Sequence, residues 1–471
     1  MPDIVESIYS ASPLWAQQAM VATYGWWWYR RRYGTAFQRL AAEFESREGW
    51  TRNQFEAYQA QKLGELLSMA RRSPYYSSIM AEAGVTSDEE PFDALRRLPF
   101  LSKETLRTRP RDLLTVKSLP PRTLVFKSSG TTGTPSQIYY TPEFHALELA
   151  APEARNLRWA GVNYRHRRVM FGVRKVCRVD QDEPPFWRFS PTENLAYASV
   201  YHLSRKALPS YLDFLRSYSP AVVMGYPSAL HTLAGYALEH NDLPARAQAV
   251  FTVSETVTPH ARQAIEAAWR CNVYDRYGAV EGCVLATECS AHQYHVSPEV
   301  GIVEILREDG ERARPGELGH VICTGLQNTL QPLIRYRIGD VARWAVNQNC
   351  ECGRQMPILE AIEGRFEDMC YTDRGEFLRF DTVFKGLDNI REAQVIQMAL
   401  DRFVIRVVPA DGFDSADVER LRRNMKLHVG NVRVDVEPVD RIHRTASGKF
   451  KAVVCRLSVE ERQQTRLARS R

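Results

Sequence analysis

No stretch of the 471-residue chain approaches the roughly 20 consecutive apolar residues that a membrane-spanning helix needs. The N-terminus lacks the charged-then-apolar order of a secretory signal, because Asp3 and Glu6 come before any apolar run, and the expected compartment is the cytoplasm. Cysteine is sparse: nine in a chain this long do not make a disulfide framework, and the closest pair, Cys350 and Cys352, suits a metal or a reduced turn. Charge of one sign is also missing. The 62 basic and 56 acidic residues leave a net +6 spread along the chain, which gives no nucleic-acid footprint. Only 462–471 is locally basic, and it reads as a solvated, frayed helix. Internal repeats and low-complexity tracts are absent. What the chain does have is length and a hydrophobic fraction of 44%, enough to build two or more domains.

The most informative run is Lys127-Ser128-Ser129-Gly130-Thr131-Thr132-Gly133-Thr134-Pro135. Gly130 and Gly133 let the backbone approach an anion, and Ser128, Ser129, Thr131 and Thr132 add hydroxyl donors for phosphate oxygens. It is not a Walker loop, since no Gly-Lys pair follows at the required spacing. A second unusual run, Trp26-Trp27-Trp28-Tyr29-Arg30-Arg31-Arg32-Tyr33, places aromatics beside three arginines. The preferred reading is one helix whose aromatics pack on the body while arginine stems cover its edge; the alternative is a membrane surface.

Apolar residues at helical period predict an amphipathic helix over 52–70, through Phe55, Tyr58, Leu63, Leu66, Leu67 and Ala70, within a helical N-terminal segment spanning 1–100. From about 219 the pattern becomes strand 221–226, helix 228–240, strand 247–253, helix 259–270 and strand 272–274. Such a β-α-β-α-β order predicts a parallel sheet with ligands beyond the C-terminal strand ends. Those ends carry Gly225 to Ser228, Ser254-Glu255 and Asp275 to Gly278, expected to line one crevice. After Gly364 a polar linker leads to apolar runs at 394–400 and 403–408, a helix near 415–428 and a strand at 432–439. The expectation is an α/β chain: a large domain over 1–364 with parallel sheets, and a small α+β domain over 365–471.

Four motifs occur in order: the 127–135 loop, Tyr274 to Glu281 (YDRYGAVE), Tyr336 to Asp340 (YRIGD) and Arg444 to Lys449 (RTASGK). Together they resemble the adenylate-forming enzymes, the acyl- and aryl-CoA synthetases, luciferases and peptide-synthetase adenylation domains. Within them the chain looks most like the phenylacetate–CoA ligase branch, including its capsular-polysaccharide-associated relatives. Features pointing there are Thr134-Pro135 without a following lysine, Gly225-Tyr226-Pro227-Ser228, Pro332 to Tyr336 and Cys350-Glu351-Cys352-Gly353-Arg354.

The resemblance implies ATP, Mg²⁺ and CoA as co-substrate, a small carboxylic acid, an acyl-adenylate and then a thioester; a carrier-protein thiol or an amine is the alternative acceptor. A binding module without catalysis is a third reading, opposed by the presence of Glu281, Asp340 and Lys449 together. It further implies that the loop, with Thr131 among its hydroxyls, holds the β- and γ-phosphates, that Glu281 ligates Mg²⁺ and that Asp340 accepts bonds from the ribose hydroxyls, with Arg365 reaching the same sugar. Ser254, Glu255, Asp275, Arg276, Tyr277 and Gly278 become nucleotide-pocket candidates. Tyr226 and Tyr277 face the acyl site or belong to the core. Lys449 places its charge against the α-phosphate, with Lys451 as confounder, and Glu367 or Asp368 marks a hinge. In some relatives of this branch a zinc site exists, which here would use Cys350, Cys352, Cys289 and His295, with His292 competing for the last place; two reduced cysteines are the ordinary alternative.

Overall fold

The computed structural model describes residues 2–127, 136–172, 174–178, 180–365, 389–429, 431–444 and 450–458, with Cys370, Val383, Leu387 and Glu461. Seven helices come first: α1 (Pro2–Ala11), α2 (Leu14–Arg32), α3 (Thr35–Ser46), α4 (Arg52–Ala70), α5 (Pro74–Glu82), α6 (Pro91–Arg97) and α7 (Lys103–Thr108). Helix α4 has the bounds its periodicity predicts. It starts at a capping box, in which the Thr51 hydroxyl accepts from the Gln54 N–H and the Gln54 side chain accepts from the Thr51 N–H. Its stripe buries Phe55, Leu63, Leu66, Leu67 and Ala70, while Tyr58 is half-buried.

The run at 26–33 meets expectation in part. Helix geometry sends consecutive residues about 100° apart, so Trp28 packs on His145 and Tyr29 and Tyr33 on the core, while Trp26 and Trp27 point to solvent. Nearer its start the docking side of α2 is polar and small, carrying Gln17 and Gly25 with Val21 between them.

Strands β1 (Leu124–Lys127) and β2 (Gln137–Tyr140) pair antiparallel and bracket 128–135, which lies outside the described residues. Helix α8 (Pro142–Pro152) runs into a π-helical turn, Glu153–Leu157. Then come β3 (Arg168–Gly172), β4 (Trp187–Ser190), β5 (Leu195–Ser199), α9 (Leu208–Tyr218), β6 (Val222–Gly225), α10 (Pro227–Glu239), β7 (Ala249–Val253), α11 (Pro259–Trp269) and β8 (Val273–Gly278). The expected β-α-β-α-β unit is present, with β6, β7 and β8 paired in parallel. Their apolar runs are fully buried, as in a sheet covered on both faces.

The sheet is not parallel throughout. Beyond Gly278 no crossover helix intervenes, so the chain can only double back, and the strands β9 (Leu285–Glu288), β10 (Tyr294–Val296), β11 (Gly301–Leu306), β12 (Gly319–Gly325), β13 (Tyr336–Trp344) and β14 (Ile358–Arg365) pair antiparallel. One sheet of 12 strands results, in the order β11-β12-β13-β14-β10-β9-β8-β7-β6-β3-β5-β4.

That order has a geometric consequence. Strands β13 and β8 are four places apart, about 19 Å on a flat sheet, yet the Tyr277 hydroxyl of β8 lies 2.7 Å from Asp340 of β13. The antiparallel half must therefore roll back over the end of the parallel half. Two glycines paired across β11 and β12, Gly301 and Gly325, make the notch that receives the returning chain: a Cβ on Gly301 would lie 2.1 Å from the Cys283 carbonyl oxygen, and one on Gly325 3.1 Å from the Cys283 side chain.

The last unit has β15 (Ile390–Ala399), β16 (Arg402–Pro409), α12 (Ser415–Val429), β17 (Arg433–Pro438) and β18 (Val453–Cys455), with sheet order β17-β16-β15-β18 and its own core around Phe403, Ile405, Leu421 and Met425. The linker positions Glu367 and Asp368, the tail 462–471 and Lys449 lie outside the described residues.

Gly301→Ala is expected to lower stability by about 1–3 kcal/mol or more, because backbone rather than a side chain must move. Gly235→Ala, inside α10 with open space around the added carbon, should be neutral or gain up to about 1 kcal/mol. Urea denaturation of both variants measures the difference.

Candidate functional site

Rolling brings two motifs together at the point where parallel pairing gives way to antiparallel. From β8 and its turn come Tyr277 and Glu281; from β13 come Tyr336 and Asp340. The links are reciprocal. Tyr277 donates to Asp340 Oδ2 at 2.7 Å, and Tyr336 donates to Glu281 Oε1 at 3.1 Å. Both carboxylates are buried, so each needs such a donor. Burial, and then the Asp340 charge, push the Tyr277 phenol well above its ordinary pKa, keeping it a proton-bearing donor. Asp340 follows Gly339, whose φ of +90° favours glycine, and its backbone faces Arg365 of β14. The Arg365 side chain lies outside the described residues.

At the other strand ends, Glu255 is held by backbone. Its Oε2 accepts from the Ser228 N–H at the start of α10 (3.1 Å), and its Oε1 from the Phe450 N–H of the small unit (2.6 Å). Burial raises its carboxyl pKa against those donors. The residue thus fastens the chain immediately after 445–449, the stretch that contains Lys449. Ser254 beside it is exposed and holds a φ of +70°, a conformation uncommon outside glycine and often found at functional sites.

Asp275 and Arg276 do not act together. Strand alternation sends them to opposite faces. Asp275 accepts from Thr252 and Tyr294 (2.5 and 2.6 Å) beside the Arg262–Glu288 ion pair, in a buried network on the α11 side. Arg276 faces the α8 side, where its charge opposes the burial that lifts Glu148 to a pKa of about 7. Gly278, exposed at the end of β8, ends the crevice floor. Tyr226 is buried in the core beside α10.

Glu148 was not singled out from sequence. Its oxygen faces the backbone of Gly282, next to Glu281. The one signal is an acid at the centre of an otherwise apolar helix segment, Ala146-Leu147-Glu148-Leu149-Ala150. Tyr336 was seen only as part of a motif, and Tyr140, which donates to the Val280 carbonyl at 2.6 Å and fixes the turn carrying Glu281, was not seen at all.

A separate cluster lies where β9, β10 and the β13–β14 loop meet. Ligand atoms of Cys289, His295, Cys350 and Cys352 all fall within 4.8 Å of one another; Cys289 and Cys350 sulfurs are 3.6 Å apart, and Cys352 Sγ is 3.3 Å from His295 Nε2. Burial depresses His295 to a pKa of about 4, so the imidazole is neutral, the ligand form. His292 is excluded from the cluster: it is 3.1 Å from the Arg262 guanidinium. Behind the cluster, Trp159 meets the His295 ring edge-on, Arg354 stacks over Trp159 at 4.0 Å, and Glu48 accepts from both at 2.8 Å. Glu48 also pairs with Arg155, a buried guanidinium that pairs with buried Glu299.

Residues 371–456 match the family model described as the CapK C-terminal domain. Protein CapK of Staphylococcus aureus is 25% identical, covering 94% of this chain and 97% of its own length. A phenylacetate-coenzyme A ligase of Thermus thermophilus is 25% identical over 86% of this chain and 97% of its own. In fold, 2-hydroxyisobutyryl-CoA ligase in its postadenylation state superposes with a TM-score of 0.67 at 21% identity, covering 90% of this chain and 94% of that one. Over nearly its whole length the chain is therefore similar in sequence to protein CapK and to a phenylacetate-coenzyme A ligase, and in fold to 2-hydroxyisobutyryl-CoA ligase.

Proposed function

We propose that the protein is an ATP-dependent carboxylate ligase that makes an acyl-adenylate and then an acyl-CoA thioester. The observation that carries the reading is the reciprocal pairing of Tyr277 with Asp340 and of Tyr336 with Glu281 at the C-terminal end of parallel strand β8, the end at which α/β sheets gather ligands. In the first half-reaction a substrate carboxylate oxygen bonds to the α-phosphorus of ATP as the bond to pyrophosphate breaks. In the second, a thiolate sulfur bonds to the acyl carbon and AMP leaves with the shared oxygen. Neither step needs a protein nucleophile; both need charge control and positioning.

Asp340, oriented by Tyr277, would accept from the ribose hydroxyls, with Arg365 and Ser254 beside the same sugar and base. Glu281, a hard buried carboxylate held by Tyr336, fits an Mg²⁺ ligand; the ion would neutralise phosphate charge. Ser128 to Gly133 would hold the leaving phosphates. Lys449 would stabilise the charge developing on the α-phosphate, delivered by the segment that Glu255 fastens at Phe450. Tyr277 would lie between nucleotide and acyl group. The Cys289, His295, Cys350, Cys352 donor set fits structural zinc, tying the β13–β14 loop to the sheet with no open position for chemistry.

Glu148 and Arg276 bring a carboxyl group and a guanidinium to the buried region beside the Gly282 turn, with no hydrogen bond or ion pair to each other among the described residues. That lining favours an acid carrying a polar substituent over an unsubstituted aryl acid.

The test is pyrophosphate release from ATP and Mg²⁺ over a panel of aryl, fatty, hydroxy and amino acids, with and without CoA. Release with an acid and a CoA-dependent thioester support the ligase; release without a thioester moves the acyl group to a carrier thiol or an amine; silence with ATP bound overturns the reading. Lys449→Ala is expected to slow adenylation by about 10²–10³-fold, whereas Lys451→Ala should change it little; equal losses would contradict the assignment. Glu148→Leu should shift the preference of the panel toward apolar acids, and no shift removes Glu148 from the acyl site. Protein purified without chelator should contain one zinc per chain by elemental analysis, lost together with thermal stability in Cys350→Ser; metal-free wild type would leave three reduced cysteines beside a neutral histidine.

A further inference from the structure

Helix α2 carries large apolar groups on both sides. Inward, Val21, Trp28 and Tyr29 pack on the body, and the contact with β4 is made by polar or small residues: Gln17 accepts from the buried Arg188 guanidinium, Gln18 exchanges two hydrogen bonds with the Phe189 backbone (2.7 and 2.9 Å), and Gly25 packs so closely that a Cβ would lie 1.9 Å from Ser190 Oγ. These contacts fix the helix on edge strand β4 in one rotation. Its outward side is apolar and aromatic, with Trp15 75%, Tyr24 51%, Trp26 47% and Trp27 47% exposed, and Met20 among them. None of the 19 residues of α2 is acidic, and three arginines close it.

Arg30 lies 4.5 Å over Trp26, at the C-terminal end of that face. Arg31 donates to the Arg122 carbonyl at 2.6 Å, which draws the segment before β1, with exposed Leu119 and Arg122, to the same end. Tryptophan and tyrosine flanked by arginine match the boundary between headgroups and acyl chains, where the ring is half wet and the cation meets lipid phosphate. No described helix is long and apolar enough to cross a membrane, so contact would be in the plane of the surface. A second copy of the chain is the competing occupant, and the experiment below separates the two.

We propose that the outward face of α2 docks the protein on the surface of a bilayer containing anionic lipid. The proposal is independent of the adenylation chemistry, which lies on another part of the large domain.

The experiment is co-sedimentation of the full chain with vesicles of phosphatidylcholine mixed with phosphatidylglycerol, against phosphatidylcholine alone, alongside quenching of tryptophan fluorescence by lipids brominated on the acyl chain. Pelleting with the anionic vesicles and quenching are expected. The triple variant Trp15→Ser, Trp26→Ser, Trp27→Ser should reduce the partition at least about tenfold. Arg30→Gln with Arg31→Gln should remove most of the preference for anionic lipid, as should molar salt. Thermal melting checks the fold of each variant, and the wild-type quenching stands even if one fails to fold. No pelleting with either vesicle, or pelleting that the triple variant leaves unchanged, overturns the proposal. So does a dimer that the triple variant abolishes in a chain that ignores vesicles.

Discussion

Two carboxylates, Glu281 and Asp340, have to be buried next to one another's strands, and each is tolerated because a tyrosine from the opposite motif donates to it. That exchange of donors requires the sheet to roll, and the roll requires Gly301 and Gly325 to leave room for Cys283. The rest of the large domain can be understood from this constraint. Parallel strands with crossover helices supply a rigid floor, and the antiparallel strands fold back to supply the wall. The crevice between them is a property of the topology, since neither half alone places acid, tyrosine and turn together.

Charge networks secure the wall at its outer edge. Arg155, on the π-helical turn after α8, reaches Glu48 behind α3 and Glu299 before β11, and Glu48 continues through Arg354 and Trp159 to the ring of His295. Removing either partner of a buried pair such as Arg155 with Glu299 strands a charge, at a cost of about 3–5 kcal/mol. The cysteine and histidine cluster thus joins a lattice that already ties the N-terminal helices to the β13–β14 loop. On the other side, Glu255 couples the floor to the small unit by accepting from α10 and from Phe450 at once. A loosening of the small unit would release one of those two bonds and leave the other.

The parallel half was legible because buried strands between crossover helices appear as short apolar runs at 221–226 and 247–253, a local pattern. The bounds of α4 were legible for the same reason. The antiparallel half was not, because its register and roll depend on contacts such as Cys283 with Gly301 that are distant in sequence. Motifs located the Glu281 and Asp340 cluster but could not say which face a residue takes. Asp275, grouped with Arg276 as a strand end, satisfies its carboxylate internally, while Glu148, an acid amid apolar residues of α8, turns to the Gly282 backbone beside Glu281. The Trp26 to Trp28 run was legible in part: Trp28 packs inward with Tyr29 and Tyr33, but the contact of α2 with β4 is made by Gln17, Gln18 and Gly25, which carry no hydrophobic signal.

The account's central claim is that Asp340, held by Tyr277 in the rolled sheet, reads the ribose of ATP. The direct measurement is the calorimetric affinity for Mg²⁺-ATP against 2′-deoxy and 3′-deoxy ATP in the wild type and in Asp340→Asn. The account predicts that the wild type binds both deoxy analogues about tenfold or more weakly, as a lost charge-assisted hydrogen bond implies, and that the variant loses most of this discrimination. Equal affinity of the wild type for all three nucleotides, or discrimination untouched by Asp340→Asn, would contradict it.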